Sequence, residues 1–196
     1  DACHYAHFKA DEKSYYPGVR ALLPRQHSIV ILQAIYQLIC KVYRIPLTLN
    51  LVPQDTFYSL ITKHEAELDF LQCLPHFDTS KHYHFAILHY LNDDEHGNTG
   101  LFCHQQTGFE RIEDDRVEEY LASANDYLQS IKCPPKKYVT ESTEQYQLYH
   151  SINYKPNRLV IYPGNLLHSI LINKEKDIDA NPATGRLTAN IFIEFK

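Results

Sequence analysis

Two stretches of the chain repeat apolar residues at helical spacing. In Ser28–Tyr43 the apolar positions fall at 32, 35, 36, 39, 42 and 43, and Pro46 follows as a stop. Arg116–Ile131 repeats the pattern with Val117, Tyr120, Leu121, Ala124, Leu128 and Ile131. Asp114 and Asp115 stand at its start, where carboxylates complement the helix dipole, and Pro134-Pro135 closes it. Elsewhere the period shortens. Thr56–Thr62, Asp69–His76, His82–Asn92, Thr99–Cys103, Tyr146–Ile152, Arg158–Tyr162, Leu166–Leu171 and Arg186–Phe195 are short runs rich in Ile, Leu, Tyr and Phe. Turn residues separate them, among them Asp93-Asp94, Gly97-Asn98, Lys155-Pro156-Asn157 and Pro163-Gly164. Strand alternation puts His84, Ala86, Leu88 and Tyr90 on one face, and Phe85, Ile87, His89 and Leu91 on the other. Two helices that do not alternate with the strands argue against a doubly wound sheet. They predict a mostly β fold with flanking helices, a sandwich or open barrel with helices packed outside. The 196 residues fit a single domain, 1–196, with an N-terminal support over about 1–68 and a core over about 69–196.

Composition narrows the partners. Lys and Arg total 19 against 24 Asp and Glu, a formal charge of -5, so the electrostatic footprint of a nucleic-acid binder is missing. The longest uncharged apolar stretch, Ser28–Cys40, is too short to span a bilayer, so no membrane partner is expected. Cys3, Cys40, Cys73, Cys103 and Cys133 are widely spaced, odd in number and form no C-x-x-C pair. That pattern suits neither a zinc ribbon nor a disulfide framework, and predicts scattered thiols in a reducing, cytoplasmic setting. The chain has no methionine and starts at Asp1, which reads as a processed, trimmed or incomplete beginning. Its 12 histidines exceed its 10 prolines, an excess that draws attention to metal chemistry.

His76-Phe77-Asp78 is the informative tripeptide. In an extended chain residues two apart share a face, so an imidazole and a carboxylate project side by side. One further ligand would complete a two-histidine, one-carboxylate facial triad, which holds Fe(II) and leaves three positions open. With so many histidines a chance match is easy, and the plain alternative is a strand-end histidine bonded to an acid. Near the C-terminus Arg186, Thr188 and Asn190 share one strand face. A guanidinium and a hydroxyl in line fit a carboxylate, and Tyr90 on a neighbouring strand adds a donor.

At this point the chain resembles the iron(II)- and 2-oxoglutarate-dependent dioxygenases, and within them the prolyl-4-hydroxylase-like branch. The resemblance rests on His76-Phe-Asp78, Tyr90-Leu-Asn92, the Tyr162-Pro-Gly approach to His168, and Arg186-x-Thr188, and spans about residues 74 to 195. The segment Tyr15-Tyr-Pro-Gly-Val-Arg20 resembles an uncharacterised subfamily, a domain of unknown function. The resemblance implies a double-stranded β-helix, the jelly-roll or cupin-like barrel. It implies His76, Asp78 and His168 as the iron ligands, and Arg186, helped by Thr188 and Tyr90, as the anchor for the far carboxylate of the co-substrate 2-oxoglutarate. The activity implied is hydroxylation of an unactivated C–H on a peptide side chain or small metabolite, with dioxygen consumed. Two features depart from the pattern. Gly97-Asn-Thr replaces the usual paired glycine and acid before threonine, and residues 173–185 form an added polar loop between His168 and Arg186, either a lid or a flexible surface loop.

Other residues have less specific readings. His84 either faces the interior beside Tyr90 or is simply hydrogen-bonded. Asn190 either contacts a ligand or packs. Tyr15, Tyr16 and Arg20 line an entrance or cap one end. His82, His89 and His104 read as surface or supporting residues, His64 beside Glu65 as a solvated strand end, and Arg158 as the partner of a surface acid. Two other functions remain open. One is a cupin-like metal protein or enzyme that does not use 2-oxoglutarate, against which Arg186 and Thr188 argue. The other is a non-catalytic barrel with a binding pocket, against which the complete ligand set argues.

Overall fold

A computed structural model describes residues 6–11, 14–130 and 135–196. In chain order the elements are β1 (Lys9–Ala10), β2 (Gly18–Leu22), α1 (Arg25–Val42), β3 (Leu51–Ile61), β4 (His84–Tyr90), β5 (Asn98–His104), α2 (Val117–Ser130), β6 (Tyr146–Ile152), β7 (Leu159–Pro163), β8 (His168–Leu171) and β9 (Thr188–Phe195). The fold is mostly β, in two antiparallel sheets ordered β1-β2-β3-β9-β4-β7 and β6-β5-β8. They do not close into a barrel.

The alternation in β4 sorts its side chains as the sequence predicts. Phe85 and Ile87 join Ala189, Ile191 and Ile193 of β9 on the outer face, where Ile31, Ile35 and Ile39 of α1 pack on them. Each buried isoleucine or phenylalanine contributes about 1.5–3 kcal/mol. Ala86, Leu88 and Tyr90 turn the other way, onto Val160, Tyr162 and Leu166. The Tyr90 hydroxyl meets Thr99 Oγ1 of β5 at 2.7 Å, so the inner face of one sheet reaches the other. The second helix docks Tyr120 beside Phe102 and Tyr146 of the smaller sheet. Acidic residues occupy its start, with Glu118 and Glu119 in its first turn. Its expected last residue, Ile131, and Lys132, Cys133 and Pro134 lie outside the described residues, as does Cys3; Cys40, Cys73 and Cys103 are free thiols.

Several expectations need correction. Asp69–His76 is not a strand: Phe70–Cys73 forms a 3-10 turn whose cap is Asp69. The Asp69 N–H donates to Gln72 Oε1 at 2.9 Å, and this local capping outcompetes an extended pairing. Only His76 keeps a β-bridge, to His168. The chain before α1 contributes β2, which lacks a readable alternation and is held by its pairing with Phe57–Ile61 of β3. Beyond that overlap β3 extends back through Pro53 to Leu51, with its register to β9 broken between Pro53 and Thr56, as proline in a strand favours. Arg158 donates to the Asn153 carbonyl at 2.6 Å, not to an acid. His104 is no surface residue: it is fully buried beside Tyr120 and Tyr146.

The loop 173–185 is anchored at several points, although residues 174–176, 180, 181, 183 and 184 are exposed. Asp177 is fully buried. Its carboxylate accepts from His96 Nδ1–H at 3.0 Å, from the Gly97 N–H at 3.1 and 3.0 Å, and from the Asn173 N–H at 2.9 Å. Ile178 bridges to Ile61, and Asn92 Nδ2 donates to the carbonyls of Pro182 (3.2 Å) and Gly185 (2.6 Å). A Cβ on Gly97 would fall 2.3 Å from the Leu171 carbonyl and 2.4 Å from Asp177 Oδ2, so glycine is needed for this closure.

Candidate metal centre and cleft

Backbone pairing sets the centre. The N–H of His76 donates to the His168 carbonyl at 2.9 Å, and the N–H of His168 returns the bond at 2.8 Å. The two histidines are therefore directly opposed, and their rings sit 4.4 Å apart between centroids. Two residues on, the Asp78 N–H donates to the Gly164 carbonyl at 2.7 Å, which brings the Asp78 carboxylate to the same spot. Gly164 permits the close approach: a Cβ there would fall 2.5 Å from His84 Nδ1. One ligand atom from each of His76, Asp78 and His168 lies within 4.8 Å of the others, the one such cluster among the described residues.

The protonation of the two imidazoles suits a metal. His168 Nδ1–H donates to the Leu166 carbonyl at 2.9 Å, and its Nε2 stands 4.0 Å from Asp78 Oδ1. Burial first, and then the neighbouring His168, lower the His76 pKa below 6.5, against an opposing pull from Asp78. His76 is open to a cleft, so solvent tempers the burial; the ring is neutral and able to ligate.

That cleft holds about 1690 Å³ and is lined by His76 and Asp78, by Tyr16, Arg20 and Phe57, and by Tyr120. His84 also lines it, stacked on Phe192 with its Nδ1 buried and unpartnered. Of the three residues expected to hold a co-substrate carboxylate, none lines the cleft. Thr188 and Tyr90 are register partners across β9 and β4, and both are buried. Asn190 Nδ2 donates to Ser59 Oγ (2.9 Å) and Thr188 Oγ1 (3.0 Å). Arg186 is 1% exposed, over the rings of Tyr90 (5.4 Å) and Tyr154 (6.0 Å). Its Nε donates to the Gly97 carbonyl at 2.8 Å and stands 4.0 Å from Asp177 Oδ2, while its Nη2 is buried with no hydrogen-bond partner.

Sequence reasoning missed Tyr162 and Asp177. The Tyr162 ring lies 4.8 Å from the His168 ring. Burial holds its phenol well above 10, with Asp78 and Tyr90 adding and Arg186 opposing, so its electrostatic neighbours include both the candidate ligand Asp78 and Arg186. Its position on the inner face of β7 was readable from the alternation in Arg158–Tyr162. Asp177 carried no signal, being one acid in a polar loop. Three further histidines that the sequence singles out are held locally. His82 pairs with Glu113 at 3.2 Å, and His89 with Asn157 at 2.8 Å and His27 at 3.4 Å. His64 caps the 3-10 turn Glu65–Glu67.

No helix among the described residues is long and apolar enough to cross a membrane. No curated protein and no solved structure matches the chain. A protein-family model does, over residues 1–193, and the chain belongs to that family of unknown function (DUF6445).

Proposed function

We propose that this family member is an Fe(II)- and 2-oxoglutarate-dependent dioxygenase that hydroxylates an unactivated C–H bond. The observation that carries the reading is the convergence of His76, Asp78 and His168 beside a large cleft that His76 and Asp78 line. Two imidazoles and one carboxylate are the donor set for a non-heme Fe(II) with open positions. The strand order supports a double-stranded β-helix. With β1 and β2 set aside as additions to one edge, β3, β9, β4 and β7 make one sheet. The segment at His76 then pairs with β8, beside β5 and β6, in the other.

His76, Asp78 and His168 would hold the iron, and the free Nη2 of Arg186, with Thr188 and Tyr90, would take the far carboxylate of 2-oxoglutarate. Dioxygen is the oxidant: one of its atoms would enter the substrate C–H bond and the other the succinate formed from 2-oxoglutarate with loss of carbon dioxide, and a bound Fe(II) would supply the centre for that chemistry. The chain's own residues supply geometry. The Leu166 carbonyl fixes the His168 tautomer, the Gly164 carbonyl holds Asp78, and the buried Tyr162 keeps water from the space behind the ligands. Succinate formed from 2-oxoglutarate by the iron-loaded protein, and lost in Asp78→Ala, tests this reading.

One observation favours a second reading, a metal protein that does not use 2-oxoglutarate. Arg186 lies off the cleft, and its Nε is engaged by Gly97 beside Asp177. Iron binding without any binding of 2-oxoglutarate would select this alternative.

A further inference from the structure

Arg20 is a cation that the proposed chemistry does not use. In the register of the larger sheet Arg20 pairs with Ser59, Ser59 with Thr188, and Thr188 with Tyr90. These four residues form one row across β2, β3, β9 and β4, so Arg20 stands two strands, or about 10 Å, from Thr188. Unlike Thr188 and Tyr90, Arg20 lines the cleft that His76 and Asp78 also line.

Its guanidinium is held as a binding group is held. It lies 4.8 Å over the Tyr16 ring and 5.0 Å over the Phe57 ring, which fixes its plane. Nη1 donates to Asp11 Oδ2 at 3.2 Å, and Nε is buried with no partner. Most of its donors are therefore unspent, in a side chain only 18% exposed. The Tyr16 hydroxyl beside it is also buried without a partner, and burial raises its pKa to about 12 against the pull of Arg186 and Arg20, so it is a donor at neutral pH. Lys81, another cation lining the cleft, is already bound by Glu194 at 2.8 Å. Orphaned donors around a fixed guanidinium call for a planar anion that accepts two hydrogen bonds.

We propose that Arg20, with the Tyr16 hydroxyl, anchors a carboxylate of the molecule that enters the cleft, at a subsite separate from the one given to 2-oxoglutarate. The inference rests on the proposed function only in taking the cleft as the place where substrate meets the metal. It makes the substrate a carboxylate-bearing molecule, held by its anionic end in the cleft that His76 and Asp78 also line. The aromatic walls, Tyr16, Phe57 and Tyr120, would cover its apolar part.

Binding of 3-phenylpropionate against its neutral amide, 3-phenylpropanamide, tests the subsite by ligand-observed NMR on the metal-free protein. The wild type is expected to prefer the carboxylate by about tenfold or more, the effect of a charge-assisted hydrogen-bond pair. Arg20→Gln should erase that preference, and Arg20→Lys and Tyr16→Phe should each keep part of it. No preference in the wild type, or a preference that survives Arg20→Gln, would overturn the proposal. If Arg20→Gln fails to fold, the Lys and Phe variants decide, since an unchanged preference in both overturns it equally. The readout needs neither iron nor turnover, so its failure leaves the dioxygenase reading standing, and failure of that reading leaves this result interpretable.

Discussion

His76 and His168 exchange both of their backbone hydrogen bonds, at 2.9 and 2.8 Å, although 92 positions separate them in sequence. The pairing places two imidazoles on one spot before any metal arrives, and Asp78 joins them through the Gly164 carbonyl. A site preorganised by backbone bonds should survive removal of its ligands. Asp78→Ala and His168→Ala are expected to lower metal affinity by more than the ~10–100-fold that loss of a supporting residue costs. Thermal unfolding of the metal-free proteins should change little. Metal content after anaerobic loading, with melting curves beside it, checks both halves.

Gly164 tests the positioning of Asp78. A methyl group there would press on His84 Nδ1, 2.5 Å away, and shift the loop whose carbonyl holds the Asp78 N–H. Gly164→Ala is expected to cost about 1–3 kcal/mol of stability through overpacking. Metal affinity should fall about 10–100-fold, the range for a residue that orients a ligand. Denaturant titration and metal titration of the same variant separate the two effects, and unchanged metal affinity would refute the positioning role.

Asp177 carries the anchored loop. Its carboxylate accepts from His96, Gly97 and Asn173 and stands 4.0 Å from Arg186, with no access to water. Truncation would leave these donors and a buried guanidinium without compensation. Asp177→Ala should therefore destabilise the fold by about 3–5 kcal/mol, and Asp177→Asn by less. Equilibrium urea denaturation measures this directly. A loss below 1 kcal/mol, about the scale of one ordinary hydrogen bond, would show that the loop is dispensable.

Acid should loosen the core at His104. Burial lowers its pKa below 6.5, and its Nε2 has no partner. The folded state thus binds fewer protons than the unfolded state in the window below 6.5, so stability is lost as the pH falls through it. Stability is expected to decline from about pH 7 to about pH 5, with a shallower slope in His104→Gln. Parallel slopes in the two proteins would place the sensitivity elsewhere, for example at His27, whose pKa burial and His89 also lower.

Much of this arrangement is legible in the chain because it depends on local periodicity. Tyr146–Ile152 forms a strand with those bounds, and the alternation in His82–Asn92 separates the α1-facing Phe85 and Ile87 from the inward Ala86, Leu88 and Tyr90. The tripeptide at His76 is readable because two residues on one face need no tertiary information. What escapes reading depends on partners distant in sequence. The β2 strand exists through its pairing with β3, and Asp69–His76 loses its strand to a capping contact between Asp69 and Gln72. Asp177 gains its importance from Gly97, 80 residues away, and Arg20 from stacking on Phe57. The surroundings of Arg186 escape reading in the same way: it precedes β9, and Asp177, Tyr90 and Tyr154, which pack around its guanidinium, come from other parts of the chain.

The dioxygenase reading meets its most direct test in an anaerobic optical titration of the iron-loaded protein with 2-oxoglutarate. Chelation of Fe(II) by the keto acid gives a visible charge-transfer band. The account predicts that the band grows to saturation in the wild type, is absent in Asp78→Ala, and needs more 2-oxoglutarate in Arg186→Gln. Iron bound at His76, Asp78 and His168 with no band at any concentration of 2-oxoglutarate would contradict it.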